Sequence, residues 1–331
     1  MIQIVKADGR AEEAVLAAMR ARAAQANQAI DAAAAEIMET VREKGFEAVR
    51  DYSLRFDKAE PRELTPAELD AAYDRCPKEL IAALERAAAN IKDYNEKLLT
   101  RTMEWTSPDG GIVGRVVRGL TRVGIYVPGG TAAYPSSVLM NAVPAKVAGV
   151  EEIVMVTPPT ENLNDAVLAA AKIAGVDRVI AVGGAQAVAA LTYGAGFIPR
   201  VDKLVGPGNA YVAAAKRMPY GSLDIDMVAG PSEVLVIADE TAEAKYVAAD
   251  LLSQAEHDRL ASAVLLTTSQ ALAEAVAAEM ARQTGYLGRS EIIEASLRDF
   301  GCAIVCRDLE EALDLANEIA PEHLEIVTAD P

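Results

Sequence analysis

From Val123 onward the chain repeats one pattern of punctuation, and that pattern limits the folds open to it. A short β-branched run ends in a turn, and an alanine-rich stretch mostly follows. The runs are Val123–Val127, Ile153–Thr157, Val179–Val182 and Lys203–Val205; three of them empty into glycine loops, P-G-G-T after Val127, G-G-A-Q after Val182 and G-P-G-N after Val205. Helical stretches such as Asp165–Ala174 and Gln186–Tyr193 lie between them. Continuous apolar strands alternating with helices bury both faces in a parallel sheet, so the chain reads as α/β. A second series with the same rhythm follows A-G-P-S (Ala229–Ser232): strands Glu233–Ala238, Ala263–Thr267, Ala303–Cys306 and Leu324–Val327, with helices Ala242–His257, Gln270–Gln283 and Leu309–Ile319 between them. The two series share a rhythm without a residue-level repeat.

The stretch before Val123 reads differently. Ala11–Asp57 is alanine- and charge-rich, with Ile30, Ile37, Val41 and Val49 at helical intervals. Thr65-Pro66-Ala67-Glu68 carries a capping threonine, a proline at the first helical position and a glutamate three residues after the cap, which starts a new helix. Another spans Lys78–Leu99, and the glycine-punctuated stretch Trp105–Val123 predicts a hairpin or an extended crossing.

Chemistry enters through the glycine loops and two histidines. Glycine lets backbone amides approach a ligand closely, and a helix amino terminus adds partial positive charge, so the three loops suit a phosphate or a dinucleotide. They suit tight strand-to-helix turns equally, and none matches G-x-G-x-x-G. Both histidines follow a glutamate, as Glu256-His257 and Glu322-His323. Imidazole is the usual proton shuttle and metal ligand near neutral pH. On a helix, Gln254 and His257 stand three apart on one face, where an amide oxygen and a ring nitrogen could share a cation; the same spacing also suits a solvated polar face.

Charge and cysteine usage narrow the partners. With 32 basic and 49 acidic residues the net charge is −17, which argues against nucleic acid and anionic membranes while tolerating a cationic small molecule. No window offers about 18 uninterrupted apolar residues, so a soluble cytoplasmic protein is expected. Cys76, Cys302 and Cys306 make no disulfide framework, and C-A-I-V-C reads as a strand with partly buried thiols rather than as a nucleophile.

Six motifs, in order, resemble histidinol dehydrogenase. They are R-V-G-I-Y-V-P-G-G-T-A-A-Y-P-S-S-V-L-M-N-A-V-P-A-K-V-A-G-V (Arg122–Val150), G-G-A-Q-A-V-A-A-L (Gly183–Leu191), G-P-G-N-A-Y-V (Gly206–Val212), A-G-P-S-E-V-L-V-I-A-D (Ala229–Asp239), L-L-S-Q-A-E-H-D and A-P-E-H-L-E-I. The resemblance implies a homodimeric zinc enzyme that oxidises histidinol through an aldehyde to histidine with two NAD in succession. It implies two incomplete dinucleotide-binding-like (Rossmann-type) domains, the second inserted in the first. On this sequence they become an extension at 1–22, a first α/β domain at 23–122 plus 233–331, and an inserted domain at 123–232.

Residue by residue, the resemblance assigns Tyr126, Gln186 and Asn209 to NAD, and Ser232, Gln254, His257 and His323 to the amino-alcohol substrate. Glu322 and His323 match its catalytic pair, and Gln254 and His257 match two of its zinc ligands. It implies further that the other ligands, an aspartate and a histidine, lie beyond Pro331. On that reading these two residues hold zinc weakly, and a folded, inactive chain that at most binds NAD is the alternative to an active dehydrogenase. A zinc hydrolase would have no use for three dinucleotide-suited loops, and a thiol-dependent aldehyde dehydrogenase would need its cysteine in what reads as a strand.

Overall fold

A computed structural model describes residues 2–17, 27–129, 134–160, 163–228, 230 and 232–331. The chain divides into two compact units, Asn27–Ala229 and Met1–Ala26 with Gly230–Pro331.

In the unit Asn27–Ala229, a six-stranded sheet holds β2 (Arg62–Glu63), β5 (Arg122–Tyr126), β6 (Glu152–Thr157), β7 (Arg178–Ala181), β8 (Lys203–Val205) and β9 (Asp224–Ile225), in the spatial order β2-β7-β6-β5-β8-β9. All neighbours are parallel except β2 and β7. Ile153, Val154, Met155 and Val156 are fully buried in succession, as a strand covered on both faces requires. Crossover helices α5 (Pro135–Val147), α6 (Asp165–Ala174), α7 (Gly184–Tyr193) and α8 (Ala210–Arg217) follow β5, β6, β7 and β8. Their alanines allow close approach to the sheet. Asn164 caps α6 through its side chain, and Gly175 ends it in the left-handed conformation (φ 72°).

The helices before β5 complete this same unit. The helices α1 (Asn27–Lys44) and α2 (Phe46–Phe56) bury Ile37, Val41 and Val49 in one core with Val188 and Leu191 of α7. On the other face, α3 (Pro66–Arg75) and α4 (Lys78–Leu98) bury Ala72 and Leu84 with Leu139 and Leu168. The capping box is realised in full: Thr65 and Glu68 exchange both hydrogen bonds, with Pro66 at the helix start. The sequence groups 23–122 with 233–331, whereas the structure packs the helices of Asn27–Leu98 against the crossover helices of the six-stranded sheet, within the same unit. Their apolar faces are matched to those crossover helices, which periodicity alone does not reveal. Gly45 (φ 60°) breaks what the sequence reads as one helix through Asp57, and 18–26 of that span lie outside the described residues. The expected hairpin forms as a separate antiparallel pair, β3 (Met103–Thr106) with β4 (Ile112–Arg115).

The other unit carries a five-stranded, wholly parallel sheet in the order β1-β12-β11-β10-β13, from β1 (Gln3–Lys6), β10 (Glu233–Ala238), β11 (Ser262–Thr267), β12 (Gly301–Val305) and β13 (His323–Val327). Residues 3–6 are thus a paired edge strand rather than an extension. Helices α9 (Ala244–Ala255), α10 (Gln270–Thr284) and α11 (Ser290–Phe300) share one core with the sheet, and α12 (Leu309–Ile319) packs in a second. Among the described residues no helix is long and apolar enough to cross a membrane.

Candidate functional site

In the six-stranded sheet, β5, β6 and β7 run outward in sequence, while β8 pairs with the opposite side of β5. The direction of winding therefore reverses between β5 and β8, and in such sheets the ligand crevice opens beyond the carboxyl ends of the strands at the reversal. Tyr126 is the last residue of β5, and G-P-G-N follows β8 directly.

Three loops are knitted together here. The Gly184 N–H donates to the Tyr126 hydroxyl at 3.0 Å. Gly206 (φ 104°) lies so close to the other end of Tyr126 that a Cβ would stand 2.2 Å from its carbonyl oxygen. A Cβ on Gly129 or on Gly183 would meet the same Pro158 ring, at 3.1 and 2.6 Å. Gly130 and Thr131 of the first loop lie outside the described residues. Asn209 caps α8 by accepting the N–H groups of Tyr211 and Val212, both at 3.1 Å. The G-P-G-N loop is braced from below: Lys216, buried, donates to the Gly206 carbonyl at 2.8 Å and to Asp226, which also accepts the Gly206 N–H at 2.7 Å.

Polar groups in this pocket of backbone are perturbed. Burial pushes the Tyr126 phenol up to about 12; the Gly184 N–H opposes this and the Asp57 charge adds to it. Gln186 is 1% exposed and donates its Nε2 to Asp57 at 3.3 Å, while its Oε1 has no partner. Burial likewise raises the Asp57 carboxyl, and the Gln186 amide pulls it back. Close-approach glycines, two helix amino termini and an orphaned buried acceptor fit a dinucleotide.

In the five-stranded sheet the remaining candidates gather at the amino edge. Ser232 immediately precedes β10, and its carbonyl accepts the Ser262 N–H at 3.0 Å. Because α9 returns antiparallel to the strands, its carboxyl end comes back to this edge. It carries Gln254, which is buried, and then His257, whose N–H donates to the Gln254 carbonyl at 3.1 Å. His323 opens β13 in register with Val234, on the face that α9 covers. Its Nε2 stands 4.0 Å from Glu322 Oε2, with both side chains more than half exposed. Two residues on, burial raises the Glu325 carboxyl, and the charge of Asp250 on α9 and a hydrogen bond to it add to the effect; His323 acts in the opposite direction.

The structure therefore brings Tyr126 and Gln186 together around Gly184, with Asn209 capping the helix after β8, and it gathers Ser232, Gln254, His257, Glu322 and His323 at one sheet edge. Sequence reasoning missed Asp57, Lys216, Asp226 and the Asp250–Glu325 pair. Lone charged residues carry no motif, so only the packing identifies them. Zinc fits less well: among the described residues no three His, Cys, Asp or Glu side chains converge, and Gln254 with His257 falls short of a tetrahedral set. Cys302 and Cys306 are buried, and burial pushes both thiols up to about 12.

A family model described as histidinol dehydrogenase matches residues 20–331. The histidinol dehydrogenase of Heliobacterium mobile is 55% identical over 305 residues, 90% of this chain and 71% of that one. That of Clostridium acetobutylicum is 48% identical over 335 residues, covering 100% of this chain and 78% of the relative. The crystal structure of histidinol dehydrogenase from Elizabethkingia anophelis superposes with a TM-score of 0.89 at 34% identity, over 99% of this chain and 76% of that one.

Proposed function

Because the chain belongs to the histidinol dehydrogenase family, an NAD-linked oxidoreductase family, we propose that it oxidises L-histidinol through L-histidinaldehyde to L-histidine with two NAD, the last steps of histidine biosynthesis. Relatives about half identical over nine-tenths or more of the chain favour this reading over an inactive fold. Tyr126, Gln186 and Asn209 hold NAD at the winding reversal. When bound there, NAD would supply the hydride acceptor for each oxidation.

Ser232, Gln254, His257 and His323 bind the amino alcohol. A carbinol carbon releases hydride only as its hydroxyl loses a proton, and His323 accepts that proton in both oxidations, imidazole being matched to neutral pH. The second oxidation needs the aldehyde hydrate, and Glu322 activates the water. Gln254 and His257 are the side chains of this chain that would face a zinc ion, and among the described residues they fall short of its tetrahedral set. The partner is a small molecule, with a second copy of the chain as the family's homodimer implies.

The observation that carries the reading is the Glu322–His323 pair, at 4.0 Å, on the sheet edge that also holds Ser232, Gln254 and His257. Supplying histidinaldehyde directly tests the division of roles. Glu322→Gln should slow this half-reaction at least about tenfold while leaving the first oxidation nearly intact; an unchanged aldehyde rate removes Glu322 from the role.

A further inference from the structure

Gln186 is fully buried in the first turn of α7, and its side-chain amide is engaged on one side only. Nε2 donates to Asp57 at 3.3 Å, and Oε1 finds no partner. The orphaned oxygen lies against the bare Cα of Gly184, where a Cβ would come within 2.5 Å of it. Asp57 is itself held in place, ending α2 with its N–H on the Ser53 carbonyl at 2.8 Å. A carboxylate has no hydrogen to give, so it accepts only from the nitrogen end of an amide. The Asp57 contact thus settles which way Gln186 points and leaves an acceptor waiting for a donor.

We propose that Asp57 is a positioning residue of the cofactor site: by taking one Nε2 hydrogen of Gln186 it presents Oε1 as an acceptor to a hydroxyl or amide N–H of the bound dinucleotide. This rests on the assignment of Tyr126, Gln186 and Asn209 to NAD. It adds a chemical class to that assignment, because the orphaned Oε1 calls for a donor, which an ionised phosphate does not offer. A ribose hydroxyl or the nicotinamide carboxamide supplies the donor.

Exchanging the two groups tests this, with NADH fluorescence titrated against the whole chain. Gln186→Glu sets two carboxyls face to face with no donor between them and should weaken NADH about tenfold or more. Asp57→Asn frees the amide to turn and should weaken it about threefold to tenfold. The double variant Asp57→Asn/Gln186→Glu restores a donor at 57, an acceptor toward it at 186 and a second acceptor for the ligand, so affinity should return to within about threefold of the parent. A purely structural role for Asp57 gives no such rescue. A double variant no tighter than the weaker single variant overturns the proposal, as does an Asp57→Asn that binds like the parent. Should Gln186→Glu not fold, affinities ordered parent, Asp57→Asn, Asp57→Leu support the proposal, and equal affinities overturn it. If the parent itself fails to bind NADH, the assignment of the loops falls and the role of Asp57 with it.

Discussion

The hydroxyl of Tyr126 receives the N–H of Gly184 at 3.0 Å across 58 residues of sequence. This one bond ties the end of β5 to the start of α7, which begins two strands away. It also satisfies one of the amides that a helix amino terminus leaves without an internal partner. Gly206 closes on the carbonyl of the same tyrosine, so the geometry of two glycine loops depends on it. Tyr126→Phe leaves the partly buried Gly184 N–H without this partner, and the expected cost is about 1 kcal/mol. Urea denaturation measures it. A midpoint equal to the parent's would show that the bond contributes nothing.

The thiols provide a second check, directed at the class of chemistry. Burial raises both Cys302 and Cys306 to about 12, leaving thiolate fractions of about one in ten thousand at pH 8. Cys76 is less buried, though burial raises its thiol too. Ellman's reagent on the native protein should therefore modify at most one thiol readily, and in denaturant all three that the sequence contains. Rapid native reaction at Cys302 or Cys306 would reopen a thiol-dependent mechanism.

Glu325 makes stability depend on pH. Burial first, and then the Asp250 charge and hydrogen bond, raise its carboxyl above the ordinary value. Between its unfolded and folded values the folded protein binds more protons, so this group's contribution is present at low pH and is lost as pH rises through the folded value. Glu325→Gln keeps a hydrogen-bonding group beside Asp250 without the second charge. It should melt above the parent at pH 7.5, with the advantage shrinking toward pH 4. A difference of the same size at both values, or of opposite sign at pH 7.5, contradicts this.

Much of this was legible in the sequence because it is written locally. The runs at Ile153–Thr157 and Glu233–Ala238 declare themselves as strands by continuous apolar character, and Thr65-Pro66-Ala67-Glu68 declares a helix start by its capping chemistry. What stayed hidden depends on pairing at a distance. Gln3–Lys6 is too short to stand out and becomes a strand only against β12. The helix face of Ile37 and Val41 shows that it must be buried but not on which sheet. Tyr126, Gln186 and His323 were found through motifs, whereas Asp57 acquires meaning only once the end of α2 is seen against Gln186. Asp250 and Glu325 likewise meet only through folding.

As a member of the histidinol dehydrogenase family, this chain is expected to carry out an NAD-linked histidinol oxidation, with His323 proposed to move the protons. Absorbance at 340 nm, followed in the purified protein with NAD, zinc and L-histidinol, tests it most directly. Two NADH are expected for each histidinol consumed, with a fall of about a hundredfold or more in that rate for His323→Asn. No NADH from histidinol by a protein that still binds the cofactor, or undiminished turnover by His323→Asn, would contradict it.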